Sequence, residues 1–162
     1  MKPSVGWALV GAQGGLLAAL IVLPAGLLWP KGWIVTSLAA VFVATGIAIV
    51  VLGGLRLGTT LTPSPIPKDG GFLVTGGIFR YVRHPIYTGL LVASAGIVLW
   101  GASPAHVLGW VALLAVLTVK SHSEEAMLQE KYPEYAQYQK VSGRFVPPLR
   151  GIFPRNGASA KG

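Results

Sequence analysis

The chain has no cysteine, which excludes disulfides, thiolate zinc sites and cysteine nucleophiles. Charge is scarce as well. Asp, Glu, Lys and Arg make up 11% of the 162 residues, against about 25% in soluble domains. Only five are acids, beside 13 Lys and Arg. No strand-like run leads into Gly-x-Gly-x-x-Gly, so a Rossmann nucleotide site is not expected. No Asp/His cluster has metal-ligand spacing, and no metal is expected. Apolar residues, by contrast, reach 52%, with a mean hydropathy of +0.62. A soluble globule of this size cannot bury so much apolar surface, so the expected class is an all-α integral membrane protein. In that setting the net charge of +8 points to topology and anionic headgroups, with no nucleic acid as partner.

Residues 3–30, 32–55 and 84–119 lack Asp, Glu, Lys and Arg altogether. A span needs about 20 apolar residues, so the first two runs predict one helix each, over 5–29 and 33–55. The third run is too long for one span, and Gly101-Ala102-Ser103-Pro104 breaks it. It predicts a hairpin of helices over 86–100 and 104–119, the second continuing past the bilayer beyond Lys120. The first run far exceeds the apolar core of a signal peptide, about 7–15 residues, and is read as a span. Trp29-Pro30-Lys31-Gly32 reads as a tight turn with Trp29 and Trp33 at the interface. Gly11-x-x-x-Gly15 and Gly54-x-x-x-Gly58 are expected to pack helices within one chain, favouring a monomer. Four spans put both termini on one side. Twelve of the 13 cations fall there and Lys31 alone falls opposite, so the termini and segments 56–85 and 120–155 are expected to be cytoplasmic. The whole reads as one domain, 1–155, with 156–162 as a flexible tail.

Polar chemistry belongs to those two cytoplasmic segments. Thr59 to Pro67 carries three alternate prolines and reads as stiff and extended, and Lys68 to Gly77 as turns around a short extended piece. Arg80-Tyr81-Val82-Arg83-His84-Pro85 then leads into the third helix. Pro85 suits its first turn, which sets His84 and Arg83 beside free backbone N–H groups able to hold an anion. On their own these residues also read as snorkelling arginines and an interfacial belt of Tyr81 and Tyr87. Glu124 and Glu125 stand just past the fourth span, with Lys120 on the same helix face as Glu124. They suit a cation or hydroxyl groups, or else form a solvated face that satisfies Lys120. Pro133 restarts a short helix from Glu134 to about Val141, where Tyr135, Tyr138 and Val141 are spaced to pack inward. His106 reads as interfacial on the far side, and His122 as a polar group beside the acids.

Arg83-His84-Pro85-x-Tyr87-x-Gly89, a helical hairpin, Glu124-Glu125-x-x-Leu128, Tyr135-x-x-Tyr138 and Arg144-Phe145-Val146-Pro147 together are more specific than any one of them. The set resembles the isoprenylcysteine carboxyl methyltransferase and phospholipid methyltransferase superfamily over roughly residues 70–149. The resemblance implies a membrane enzyme that uses S-adenosylmethionine at the cytoplasmic surface and a lipid or other lipophilic acceptor. It implies a cofactor site between the loop before helix three and the C-terminal helical segment. Tyr81, Arg83, His84, Pro85, Tyr87 and Gly89 would form one wall and Glu124 and Glu125 the other, with Lys120 and Glu124 as catalytic residues. Isoprenylcysteine enzymes tend to carry Arg where this chain has Lys120, which weakens the case for a prenylcysteine carboxylate as the acceptor without removing it. The rival readings are an NADPH-dependent membrane reductase of the sterol reductase type and a non-enzymatic membrane scaffold.

Overall fold

The computed structural model describes residues 3–58 and 73–148. The stiff Thr59–Pro67 stretch, the first half of the turn region that follows it and the 156–162 tail lie outside these residues. Among the described residues there are five α-helices: α1 (Pro3–Val22), α2 (Trp33–Leu57), α3 (Pro85–Gly101), α4 (Pro104–Lys131) and α5 (Tyr135–Val141). One 3-10 turn, Gly77–Arg80, precedes α3. No strand occurs among the described residues, and Val82 and Gly143 form one isolated parallel bridge.

Helices α1, α2 and α4 are long and apolar enough to cross a membrane, and α3 is a shorter apolar helix of 17 residues. Large apolar side chains such as Trp7, Ile21, Trp33, Ile47 and Leu55 stay exposed. Helices apolar on every side suit a lipid surround. The third and fourth helices form the expected hairpin. Ala102 turns the chain in the left-handed region (φ 45°), and Ser103 caps α4 by accepting from the His106 backbone N–H. α4 does run on past Lys120, to Lys131.

The first helix ends earlier than the expected Trp29. Pro24 has no N–H, and its ring opposes the carbonyl of Leu20, so the helix stops at Val22. The freed segment hydrogen-bonds to the α3–α4 turn instead. Gly26 and Leu28 N–H groups donate to Gly101 and Ala102 carbonyls at 2.7 and 2.8 Å, and the Trp29 indole donates to Leu99 O at 2.8 Å. His106 lies in that turn too and is buried there, its ring bonded to Ser103 Oγ at 2.7 Å.

The glycines that bring helices together are not those the spacing singled out. Gly11, Gly15, Gly54 and Gly58 face open space. The most extensive interface joins α2 and α3, and there a Cβ on Gly89 would lie 2.6 Å from Gly46 O and one on Gly96 2.6 Å from Ala39 O. The apolar core gathers Leu20, Tyr87, Leu91, Leu113 and Leu117 from α1, α3 and α4. Tyr87 belongs both to this core and to the polar cluster at one end of the bundle.

Candidate active site

At that end the start of α3, the polar half of α4, α5 and the strand-like stretch after α5 converge. Backbone bonds hold the last of these against the first. Arg83 N–H donates to Gly143 O at 2.8 Å, His84 N–H to Arg144 O at 3.1 Å and Gly143 N–H to Tyr81 O at 3.0 Å. The Thr88 hydroxyl adds a bond to Phe145 O at 2.8 Å. This zipper delivers Arg144 and Phe145 to the cluster.

Glu125 is its hub. Oε1 accepts from Arg83 Nε at 2.9 Å, His84 Nε2 at 3.2 Å and Arg144 Nε at 3.2 Å. Oε2 accepts from Arg144 Nη2 at 2.7 Å and Gln139 Nε2 at 3.2 Å. A carboxylate offers about four lone-pair sites, so five donors leave it saturated. Its relative exposure is 4%. Burial alone would raise its pKa, yet hydrogen bonds from His84, Arg144 and Arg83 and the Arg83 charge hold it well below the usual carboxylate range. Arg83 also donates to the carbonyls of Gln139 and Ser142. The anion that Arg83 and His84 hold in this structure is therefore the chain's own.

Glu124 is differently placed. It accepts from the Tyr87 hydroxyl and faces His84 Nδ1 at 3.3 Å, and its side chain keeps 16% exposure. His84 thus presents each ring nitrogen to a carboxylate, an arrangement that favours the imidazolium form. Burial by itself would lower the His84 pKa, but hydrogen bonds and charge from Glu124 and Glu125 raise it above 6.5. The ring stacks on Tyr87 with centroids 5.3 Å apart and meets Phe145 edge-on at 6.1 Å.

Lys120 does not bond to Glu124 one turn ahead. It is buried, donates to Gln13 Oε1 of α1 at 3.0 Å and lies over the Tyr87 ring, 5.1 Å from its centroid. A polar chain thus runs from Gln13, midway along α1, through Lys120 and Tyr87 to Glu124 and His84.

Of the other expected site residues, Tyr81 is half exposed at the rim, Pro85 is the buried first residue of α3, and Gly89 packs against α2. Tyr135 and Tyr138 are buried as expected, whereas Val141 is exposed. Tyr138 donates to Phe79 O at 2.5 Å, which ties α5 to the 3-10 turn. His122 is exposed and bonds to Arg144 Nη1. Four participants were absent from the expected set: Gln13, Gln139, Arg144 and Phe145. Arg144 and Phe145 were visible as part of the C-terminal string. Gln13 was visible only as a lone amide in an apolar run. Among the described residues no group of three or more His, Asp or Glu side chains is placed to hold a metal ion.

The sequence profile of the phospholipid methyltransferase family matches residues 33–135. The chain belongs to that family. The matched stretch contains α2, α3 and α4 whole, and with them Arg83, His84, Glu124 and Glu125. The chain is also similar to an uncharacterized protein of Schizosaccharomyces pombe, 34% identical over 87 residues, covering 50% of this chain and 25% of the relative. It therefore matches about a quarter of that relative's length. Family membership and apolar helices together point to an integral membrane protein.

Proposed function

We propose that this protein transfers a methyl group from S-adenosylmethionine to a lipophilic acceptor at the cytoplasmic membrane surface. The acceptor classes that fit are a phospholipid amine, an isoprenylcysteine carboxylate-like group or another hydrophobic small molecule. The observation that carries the reading is the closure of Arg83-His84 onto Glu124-Glu125, about 40 residues on, at one end of lipid-facing helices.

The residues present fit such a donor, which has a carboxylate, an ammonium, ribose hydroxyls and a sulfonium. Glu124 has free lone pairs and partial exposure, which suits the ammonium or the ribose. Four cationic groups, Arg83, His84, Lys120 and Arg144, surround two carboxylates, and the surplus suits the donor's carboxylate. The exposed Tyr81 ring offers a face to the sulfonium.

The bound donor would supply an activated methyl group. The protein's part is placement and dryness. Tyr87 and His84 fix Glu124 in one orientation, and saturated Glu125 clamps the wall behind it. Lys120 stands one turn before Glu124 on α4, at the end of the expected span, and we assign it to the acceptor.

Purified protein incubated with methyl-labelled S-adenosylmethionine and a total lipid extract is expected to label a lipophilic product, with the label lost in Glu124→Gln. Absence of labelling together with absence of binding of either the donor or its demethylated product would overturn the reading.

A further inference from the structure

Among the described residues one buried side-chain polar atom has no hydrogen-bond partner, the hydroxyl of Tyr135. The residue is 1% exposed, and its ring meets Tyr138 edge-on with centroids 5.7 Å apart. Buried hydroxyls are nearly always partnered, because an unmade bond forfeits the whole desolvation cost of the group. The neighbouring Tyr138 shows the ordinary solution in the same short helix, with its hydroxyl on Phe79 O. Tyr135 has a carboxylate-rich neighbourhood and yet bonds to none of it. The hydroxyl lies within the field of Glu125, Arg83 and Glu124, while the acceptor sites on Glu125 are taken. It is an idle donor behind the wall of the candidate site.

We propose that Tyr135 is a binding residue for the methyl donor, its hydroxyl donating to an oxygen of that ligand. The inference rests on the methyl-transfer reading above. The oxygen is the donor's carboxylate or a ribose hydroxyl, the two acceptors of that molecule able to take a phenol proton. The hydroxyl is closed off from solvent in this structure, so the contact forms with a shift of α5. That helix has seven residues and is held by side-chain bonds from Arg83, Gln139 and Tyr138. An idle hydroxyl contributes nothing to the free protein, so its worth appears on binding. This separates a ligand contact from a structural one.

The test compares Tyr135→Phe with Tyr138→Phe in the full chain, reading thermal midpoint without ligand and affinity for S-adenosylhomocysteine by calorimetry in detergent. Tyr135→Phe should keep or raise the midpoint and weaken binding, roughly 3- to 10-fold where the acceptor is a ribose hydroxyl and about 10- to 100-fold where it is the carboxylate. Tyr138→Phe should show the opposite pattern, a lower midpoint with affinity kept. Methylthioadenosine, which has the ribose and lacks the amino-acid end, locates the contact. A Tyr135→Phe penalty that persists on it assigns the ribose, and one that vanishes assigns the carboxylate. A lowered midpoint in ligand-free Tyr135→Phe, or unchanged affinity where the unaltered protein binds, would overturn the inference and leave the methyl-transfer reading standing. If the unaltered protein binds neither nucleoside, both fall.

Discussion

Two adjacent acids, identical in type, do different work because of the direction each leaves α4. Glu125 points into the bundle end and is saturated, whereas Glu124 keeps part of its surface and some of its lone pairs. Glu125→Gln is therefore expected to destabilise the fold, by about 3 kcal/mol, the scale of removing one partner from a buried charge pair. Denaturation in detergent measures it. Glu124→Gln should leave the midpoint nearly in place and weaken donor binding about 10- to 100-fold, the worth of one charge-assisted bond. His84 couples the two acids and gives the cluster a pH dependence. Its pKa is raised in the folded protein, so its contribution is fully present below about 6.5 and lost as pH rises through the raised folded value. The Glu125 pKa is lowered from 4.5, so its contribution is present above that value and lost as pH falls through the lowered one. The thermal midpoint should therefore decline on the alkaline side, and His84→Asn should flatten that arm while leaving the acid arm. An unchanged alkaline arm in His84→Asn would count against a charged His84.

At the scale of elements, sequence spacing found helices well and helix contacts poorly. Gly11 and Gly15 have the pattern of a packing motif but face open space, while Gly46 and Gly89 touch backbone across the α2–α3 interface. Spacing says that an approach is allowed and is silent on which faces meet. Gly89→Ala is expected to cost about 1–3 kcal/mol by overpacking. Gly11→Ala should be neutral or stabilise by up to about 1 kcal/mol. A chemical-denaturation comparison of the two variants checks both. The tie between α1 and α4 runs through Lys120 and Gln13. A buried ammonium needs a partner, so Gln13→Leu should loosen α1. Expected is a loss of about 1–2 kcal/mol, the scale of an interhelical hydrogen bond in a membrane. A double-mutant cycle with Lys120→Met would then show a coupling that vanishes if the two side chains act independently.

For the whole molecule, the candidate site, the end of α2 at Arg56 and the approach to the C-terminus share one end of the bundle, while Lys31 and the α3–α4 turn share the other. With twelve of the 13 cations on the side that the sequence predicts to be cytoplasmic, reporter fusions at Lys31 and Asn156 should give opposite signals, with Asn156 in the cytoplasm. Fusions placing Asn156 on the far side would move the site out of reach of a cytoplasmic methyl donor.

Membrane class, helix number, the hairpin at Gly101–Pro104 and the polar residues worth attention were all legible in the sequence. Hydropathy over 20 residues and proline chemistry are local properties, and the motif strings are contiguous. The early end of α1 was legible in principle too, since Pro24 carries its own reason. Which glycines touch, why Lys120 turns to Gln13 instead of Glu124, and how Arg144 arrives beside Glu125 depend on residues up to 107 positions apart. Such contacts are chosen by the packing of whole helices and by the backbone zipper between 81–84 and 143–144. The same packing made one glutamate a clamp and its neighbour a partly open ligand, and it left the Tyr135 hydroxyl without a partner. Those distinctions lie in direction and distance, which only the tertiary structure could decide.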